Sequence, residues 1–428
     1  MLSTWLSAAL ARRNIHYGWA MVAVTFLAAL INAGAVGAPG VFILPLQNEF
    51  GWSTAEISSA LSIRLLLFGL MAPFAAALLN RYGLRNVTLS ALALIVTALV
   101  VSLFMNSVWQ LILLWGFVVG FATGMTALVL GATVAARWFS ARRGLVVGIL
   151  TASTATGQLI FLPILANVTE RYGWRFALAL MCVMLAVAAI AVLLVMRDRP
   201  SDLGLRAFGE DPSAPPAPLP PPAPVMAAAL GALRDASKHR VFWVLFATFF
   251  ICGASTNGLI QTHFIPFCAD FGMPATGAAT LLAAMGVFDF FGTILSGWLS
   301  DRYDNRWLLF WYYGLRGLSL LFLPYTDFTF YGLSLFAMFY GLDWIATVPP
   351  TVRLTAQTFG PEKVGLVFGW IFAGHQLGAA AIAFAAGASR TYLLSYLPAF
   401  FAAGALCLVA ALVVLWIRRE PKPKLATA

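Results

Sequence analysis

Residues Gly286–Arg302 read GVFDFFGTILSGWLSDR. Fourteen uncharged residues and one carboxylate, Asp289, precede the charged step Asp301-Arg302. A soluble amphipathic helix would spread its charges along one face. This stretch gathers them at one end and leaves Asp289 alone in an apolar run. The fold therefore turns on what dissolves such a run.

The chain as a whole answers that. Of 428 residues, 61% are hydrophobic and 10% charged, whereas a soluble domain carries about 25% charge. The apolar residues fall in blocks of about twenty, the length a helix needs to cross a bilayer core. Core helices of soluble proteins are shorter and carry a polar face, so a soluble globular reading is excluded. The blocks begin near Gly18, Glu56, Asn86, Leu111, Gly144 and Arg175, and again near Val241, Gly277, Trp307, Phe330, Gly365 and Ser395. Between the two sets lies Arg197 to Arg240, with PSAPPAPLPPPAP at Pro212–Pro224, eight prolines in thirteen residues. Such a run reads as a stiff, extended connection. The expected architecture is all-α and membrane-embedded, with twelve transmembrane helices in two bundles of six. Residues 1–196 form the first bundle, 197–240 a cytoplasmic linker, and 241–428 the second bundle with a short tail.

Charge sets the direction. With both termini inside, twenty of the 26 Lys and Arg fall on the cytoplasmic side and three, Arg171, Arg175 and Arg390, on the other. That is the positive-inside pattern. The net charge of +10 is thus a topology signal and argues for no nucleic-acid partner. Met1–Arg13 reads as an amphipathic lead and not as a cleavable signal. The four cysteines, Cys182, Cys252, Cys268 and Cys407, have no metal or disulfide spacing. No phosphate loop, zinc pair or nucleophile motif occurs, so neither enzyme chemistry nor a cofactor or metal is expected.

The halves repeat. LNRYGLR (Leu79–Arg85) resembles LSDRYDNR (Leu299–Arg306), and Arg81 and Arg302 are 221 residues apart. GLVVG at Gly144 and GLVFG at Gly365 share that offset of 221. Two matches at one offset indicate a duplicated six-helix unit, with a substrate site between the copies that opens alternately to each side.

On these residues the chain resembles the major facilitator superfamily, whose G-x-x-x-D-R-x-G-R-R loop is matched by Gly297, Asp301, Arg302 and Arg306. In the first copy Ala76 and Asn80 replace the glycine and aspartate, while Arg81, Gly83 and Arg85 remain. The resemblance makes Arg81, Arg85, Asp301 and Arg302 inner-gate residues, with one aspartate of the lock missing. More narrowly, YGW at Tyr17–Trp19, RWFSARRGLVVGI at Arg137–Ile149 and YGWR at Tyr172–Arg175 are similar to the monocarboxylate transporter family and its bacterial oxalate–formate exchangers. That resemblance implies a proton-carrying aspartate in span eight, at the position of Asp289. It also implies an arginine one turn later and a lysine in span one. Here Thr293 and Gly40 stand at those places, so the substrate's charge would be met elsewhere.

A charged side chain at mid-bilayer costs at least about 2.5–3.5 kcal/mol and marks a functional candidate. Asp289 lies on a small, polar stripe with Gly286, Thr293, Ser296 and Ser300, where a carboxyl can exchange a proton; a fixed hydrogen-bond role is the alternative. Of the in-span arginines, Arg64 in span two is the candidate anion anchor, with gating or packing as the alternative. Arg353 in span ten lies below the kink expected from Pro349-Pro350 and reads as a gate residue. Arg316 in span nine and Asp343 in span ten read as a buried pair. Asn32, Thr154, Asn257, Gln261, Thr293 and His375 are the remaining lining candidates, with helix–helix hydrogen bonding as the alternative.

The expectation is a monomeric inner (plasma) membrane transporter that moves a small organic anion together with a proton. Anion exchange without a proton is the alternative. Export of a hydrophobic compound past aromatics such as Phe288, Phe290 and Trp344 is another. Gln158 stands where the drug-exporting branch has a proline, which weakens that reading. A transporter-like receptor ranks lowest, because the linker and tail supply no output domain.

Overall fold

A computed structural model describes residues 2–126, 128–210, 225–360 and 363–417. Helices dominate it. Among the described residues the only β pairing is an isolated bridge between Phe139 and Phe208. Among the described residues ten helices are long and apolar enough to cross a membrane. The first bundle runs through helix one (Gly18–Gly37 and Pro39–Phe50), helix two (Thr54–Tyr82), helix three (Leu84–Ser102), helix four (Val108–Trp138), helix five (Arg143–Tyr172) and helix six (Trp174–Val195). The second runs through helix seven (Arg240–Asp270), helix eight (Ala275–Arg302), helix nine (Asn305–Phe322), helix ten (Phe330–Asp343 and Val348–Phe359), helix eleven (Val364–Tyr392) and helix twelve (Leu397–Val414). Helices five and nine are the two outside the ten.

In an apolar solvent helices associate through close packing of small residues. Helix four shows this. Gly116, Gly120 and Gly124 recur every four residues, and a Cβ added to them would run into Ala60, Arg64 and Met71 of helix two. Gly374 and Gly378 lay helix eleven on Phe246 and Phe250 of helix seven in the same way. Helix one packs on five, three on six, eight on ten, and nine on twelve. Between the bundles, two packs along eleven and five along eight.

The turns obey local chemistry. Ser53 and Glu56 form a capping box at the start of helix two, with the Glu56 N–H donating to Ser53 Oγ at 3.2 Å. Gly83 links helices two and three at φ 87°, a conformation that favours glycine.

One end of the molecule carries the chain's start and the linker. There His16 and Trp19 meet Arg206 and Phe208, and Arg197 donates to Ser3 Oγ at 2.5 Å. We call this the basic end and its opposite the distal end. The proline run at 212–224 lies outside the described residues. On either side of that run the linker takes up local structure. Pro200–Leu203 forms a 3-10 turn, and Val225–Ala236 forms a helix that packs on helices two and eleven, where Trp370 donates its indole N–H to the Ala229 carbonyl at 2.8 Å.

Candidate functional site

Helix ten is not continuous. Between Asp343 and Val348 the chain leaves the helix, ahead of Pro349-Pro350, which then begin the next segment as first-turn residues. Unwound backbone inside a membrane protein needs substitute partners, and both neighbouring helices supply them. From helix nine, Arg316 donates to the carbonyls of Asp343 and Trp344 at 2.5 and 3.2 Å and to Asp343 Oδ2 at 2.6 Å. From helix eight, Asp289 Oδ1 accepts the Ile345 N–H at 2.9 Å, and Ser296 donates to the Ala346 carbonyl at 2.5 Å. Gly292, between them, lies so close to Leu342 that a side chain there would meet its carbonyl. Thr293 adds a second donor to Asp289 Oδ1 at 3.0 Å.

Asp289 is 5% exposed, and among the described residues no cation stands within ion-pair distance of it. Arg316 and Asp343 contact directly as a buried pair; Cys252 Sγ also accepts from Arg316 at 2.9 Å.

Arg64 presents the converse. It is also 5% exposed, and among the described residues it has no hydrogen-bond or ion-pair partner. Its Cα is pinned against Gly120 of helix four. Its side chain lines a cavity of about 20 Å³ whose walls come from the first bundle alone, including Ala38, Pro39, Phe42, Trp115 and Met181. That volume holds roughly one water-sized group. Trp115 is oriented by its indole N–H, which donates to Ser102 Oγ at 2.9 Å, and packs edge-on against Phe42. Arg64 therefore sits beside the join of the two segments of helix one, among first-bundle residues.

The other candidates are dispersed. His375 lies between the rings of Phe249 and Phe372, with Nδ1 buried and unpartnered. Among the described residues Gln261 Nε2 and Asn32 Oδ1 are also buried without partners. Asn257 lies in a π-helical stretch, Ala254–Gln261, and its carbonyl accepts from Thr262 at 2.8 Å. The side chain of Thr154 lies outside the described residues. At the basic end Asp301 pairs with Arg353 inside the second bundle, and Arg302 stacks on Trp298 at 4.1 Å. In the first bundle Asn80 accepts from Arg137 at 2.7 Å, Arg81 stands 5.5 Å from the Tyr82 ring, and the Arg85 N–H donates to Asp198 at 3.0 Å. None of these contacts joins one bundle to the other, and that of Arg85 runs to the linker.

Sequence reading expected a kink in helix ten at Pro349-Pro350 but missed that the unwound residues precede it, as well as the two caps and Trp115. It also missed ion pairs at the distal end, in which only the acids are related by the offset of 221. There Glu49 pairs with Arg175 in the first bundle, and Asp270, 221 residues on, pairs with Arg390 in the second.

Helices long and apolar enough to cross a membrane, carrying buried and separated charges, are the architecture of a membrane transporter. The Major Facilitator Superfamily profile matches residues 25–352 and 264–428, and the chain belongs to that family. Among curated proteins it is similar to the uncharacterized MFS-type transporter YcxA of Bacillus subtilis, 22% identical over 88% of this chain and 89% of that protein. It is 30% identical to Monocarboxylate transporter 11 of Mus musculus over 67% of this chain and 60% of that one. It is 25% identical to Monocarboxylate transporter 13 of Bos taurus over 92% and 87%. Among solved structures the fold is shared with the nucleoside transporter NupG (TM-score 0.73, 12% identity, 94% of this chain and 100% of that one). It is also shared with a D-xylose-proton symporter (TM-score 0.66, 14% identity, 93% and 97%). The protein is a multi-pass membrane transporter of this superfamily.

Proposed function

We propose that this transporter carries a small organic anion inward together with a proton, by alternating access. The observation that carries this reading is a division of charge. The first bundle holds a buried guanidinium with no acidic partner, Arg64. The second holds a buried carboxylate with no cation, Asp289. The other in-span cations are already engaged, Arg316 by Asp343 and Arg353 by Asp301. Unpaired buried charge is costly, and a cargo of one anion and one proton neutralises both sites.

In the proposed cycle the protein crosses a plasma (inner) membrane twelve times as a monomer, with both termini and the basic end in the cytoplasm. Residues 1–196 and 241–428 rock against each other, tethered by 197–240. A proton from the distal side settles on Asp289 and weakens its hold on the Ile345 N–H, so the break in helix ten registers the proton. The anion's carboxylate binds at Arg64, and Asn32, Asn257, Gln261 and Thr293 contribute polar lining. The loaded carrier reorients and releases both inside, past Arg81, Arg85, Asp301, Arg302 and Arg353. Relatives named as monocarboxylate transporters support a carboxylate cargo, and a neighbour titled a proton symporter supports coupling.

A second reading, exchange of two anions without a proton, draws support from the hydrogen bonds that Asp289 already makes, which suit a fixed charge. Uptake of small monocarboxylates into proteoliposomes decides. Symport predicts acceleration by an inward proton gradient without internal substrate, and loss of uptake in Arg64→Gln. Exchange predicts uptake only with internal counter-anion.

A further inference from the structure

At the distal end a side chain from each bundle caps a helix of the other. Glu170, near the end of helix five, accepts the Thr276 N–H on Oε1 at 2.9 Å and the Thr276 hydroxyl on Oε2 at 2.5 Å. Thr391, near the end of helix eleven, accepts the Ala55 N–H on Oγ1 at 2.9 Å. Thr276 and Ala55 are each the second residue of their helices, eight and two. Their amides have no partner inside the helix.

These two contacts are one contact repeated. Thr276 lies 221 residues after Ala55, and Thr391 lies 221 after Glu170, the offset that relates the two halves. Gly40 and Gln261 are also 221 apart, and they meet each other. A Cβ on Gly40 would stand 3.0 Å from the Gln261 carbonyl and 2.9 Å from that of Thr262. So helices one and seven, two and eleven, and five and eight all touch at this end through repeat-related residues. Toward the basic end the pattern lapses, since Gly148 of helix five and Gly297 of helix eight have no neighbouring atom within 4 Å of an added Cβ.

We infer that Glu170 and Thr391 are a repeat-related pair of latches that hold the distal gate shut, Glu170 being the charged and stronger member. Rocking the bundles to open the distal end separates both caps at once, because each joins one bundle to the other. A carboxylate on a helix N-terminus gains from the helix dipole and from charge-assisted hydrogen bonds, whereas a hydroxyl cap supplies one neutral bond. Glu170 therefore sets most of the balance between the closed and open distal gate. This holds whatever the cargo and whether or not Asp289 carries a proton.

The test uses the full-length protein in nanodiscs, with its four cysteines replaced and a reporter at Thr262→Cys. Thr262 is 4% exposed and its carbonyl lies against Gly40, so separation of helices one and seven is expected to open a cysteine at this position to a maleimide. Glu170→Ala is expected to speed labelling roughly fivefold or more, and Thr391→Val a few-fold. Thr391→Glu, which copies the charged latch into the second half, is expected to slow labelling below the parent rate and to lower transport. Misfolding cannot produce that slowing. Unchanged labelling in Glu170→Ala, or labelling not slowed in Thr391→Glu, overturns the paired latch.

Discussion

Asp289 and Arg316 hold opposite poles of one break. The aspartate, from helix eight, accepts the freed N–H of Ile345, and the arginine, from helix nine, donates to the freed carbonyls of Asp343 and Trp344. A helix interrupted at membrane depth is thus satisfied by a negative group at its donor side and a positive one at its acceptor side. Any change in the charge of Asp289 is felt at once by helix ten.

Removing half of the Arg316–Asp343 pair leaves the other half buried and uncompensated. Arg316→Leu or Asp343→Leu is expected to cost about 3–5 kcal/mol, and the double change less than the two singles summed. Thermal unfolding of the purified variants in one detergent checks this. Additive losses would show that the two side chains act separately.

Gly292 lies where helix eight crosses Leu342. Gly292→Ala forces a methyl group against a carbonyl, so a loss of about 1–3 kcal/mol is expected. Gly297→Ala on the same helix has open space and is expected to unfold at the parent temperature. The two melting curves, side by side, test whether close backbone approach and not glycine content matters here.

The cavity at Arg64 is bounded by Trp115 and Phe42. Trp115→Ala enlarges it and is expected to raise the relative uptake of bulkier carboxylates over the smallest ones. Trp115→Phe, which keeps most of the volume but loses the bond to Ser102, is expected to keep the size preference at a stability cost of about 1 kcal/mol. Competition among acids of increasing chain length reads the difference.

The helical membrane class and the buried charges could be read in the sequence because bilayer thickness and the scarcity of charge leave a strong linear signal. The direction in which a side chain points could not. In lipid both the inner and outer faces of a helix are apolar, so the helical period that orients a soluble helix carries little contrast. Arg64 is the example, since its sequence position fits several facings and the Gly116–Gly124 stripe of helix four decides among them. The prolines at 349–350 announced a disturbance in helix ten, but the unwound residues precede them, and their caps come from helices eight and nine, far away in sequence. The latch contacts at Glu170 and Thr391 were written in the 221 offset, yet they surface only when the paired helices are seen end to end.

The most direct measurement is gradient-driven accumulation by Asp289→Asn in proteoliposomes. Asparagine keeps an acceptor for the Ile345 N–H but takes no proton. The account predicts that an inward proton gradient no longer drives accumulation of the anion, while exchange against internal substrate persists. Accumulation at the parent level under the same gradient would contradict it.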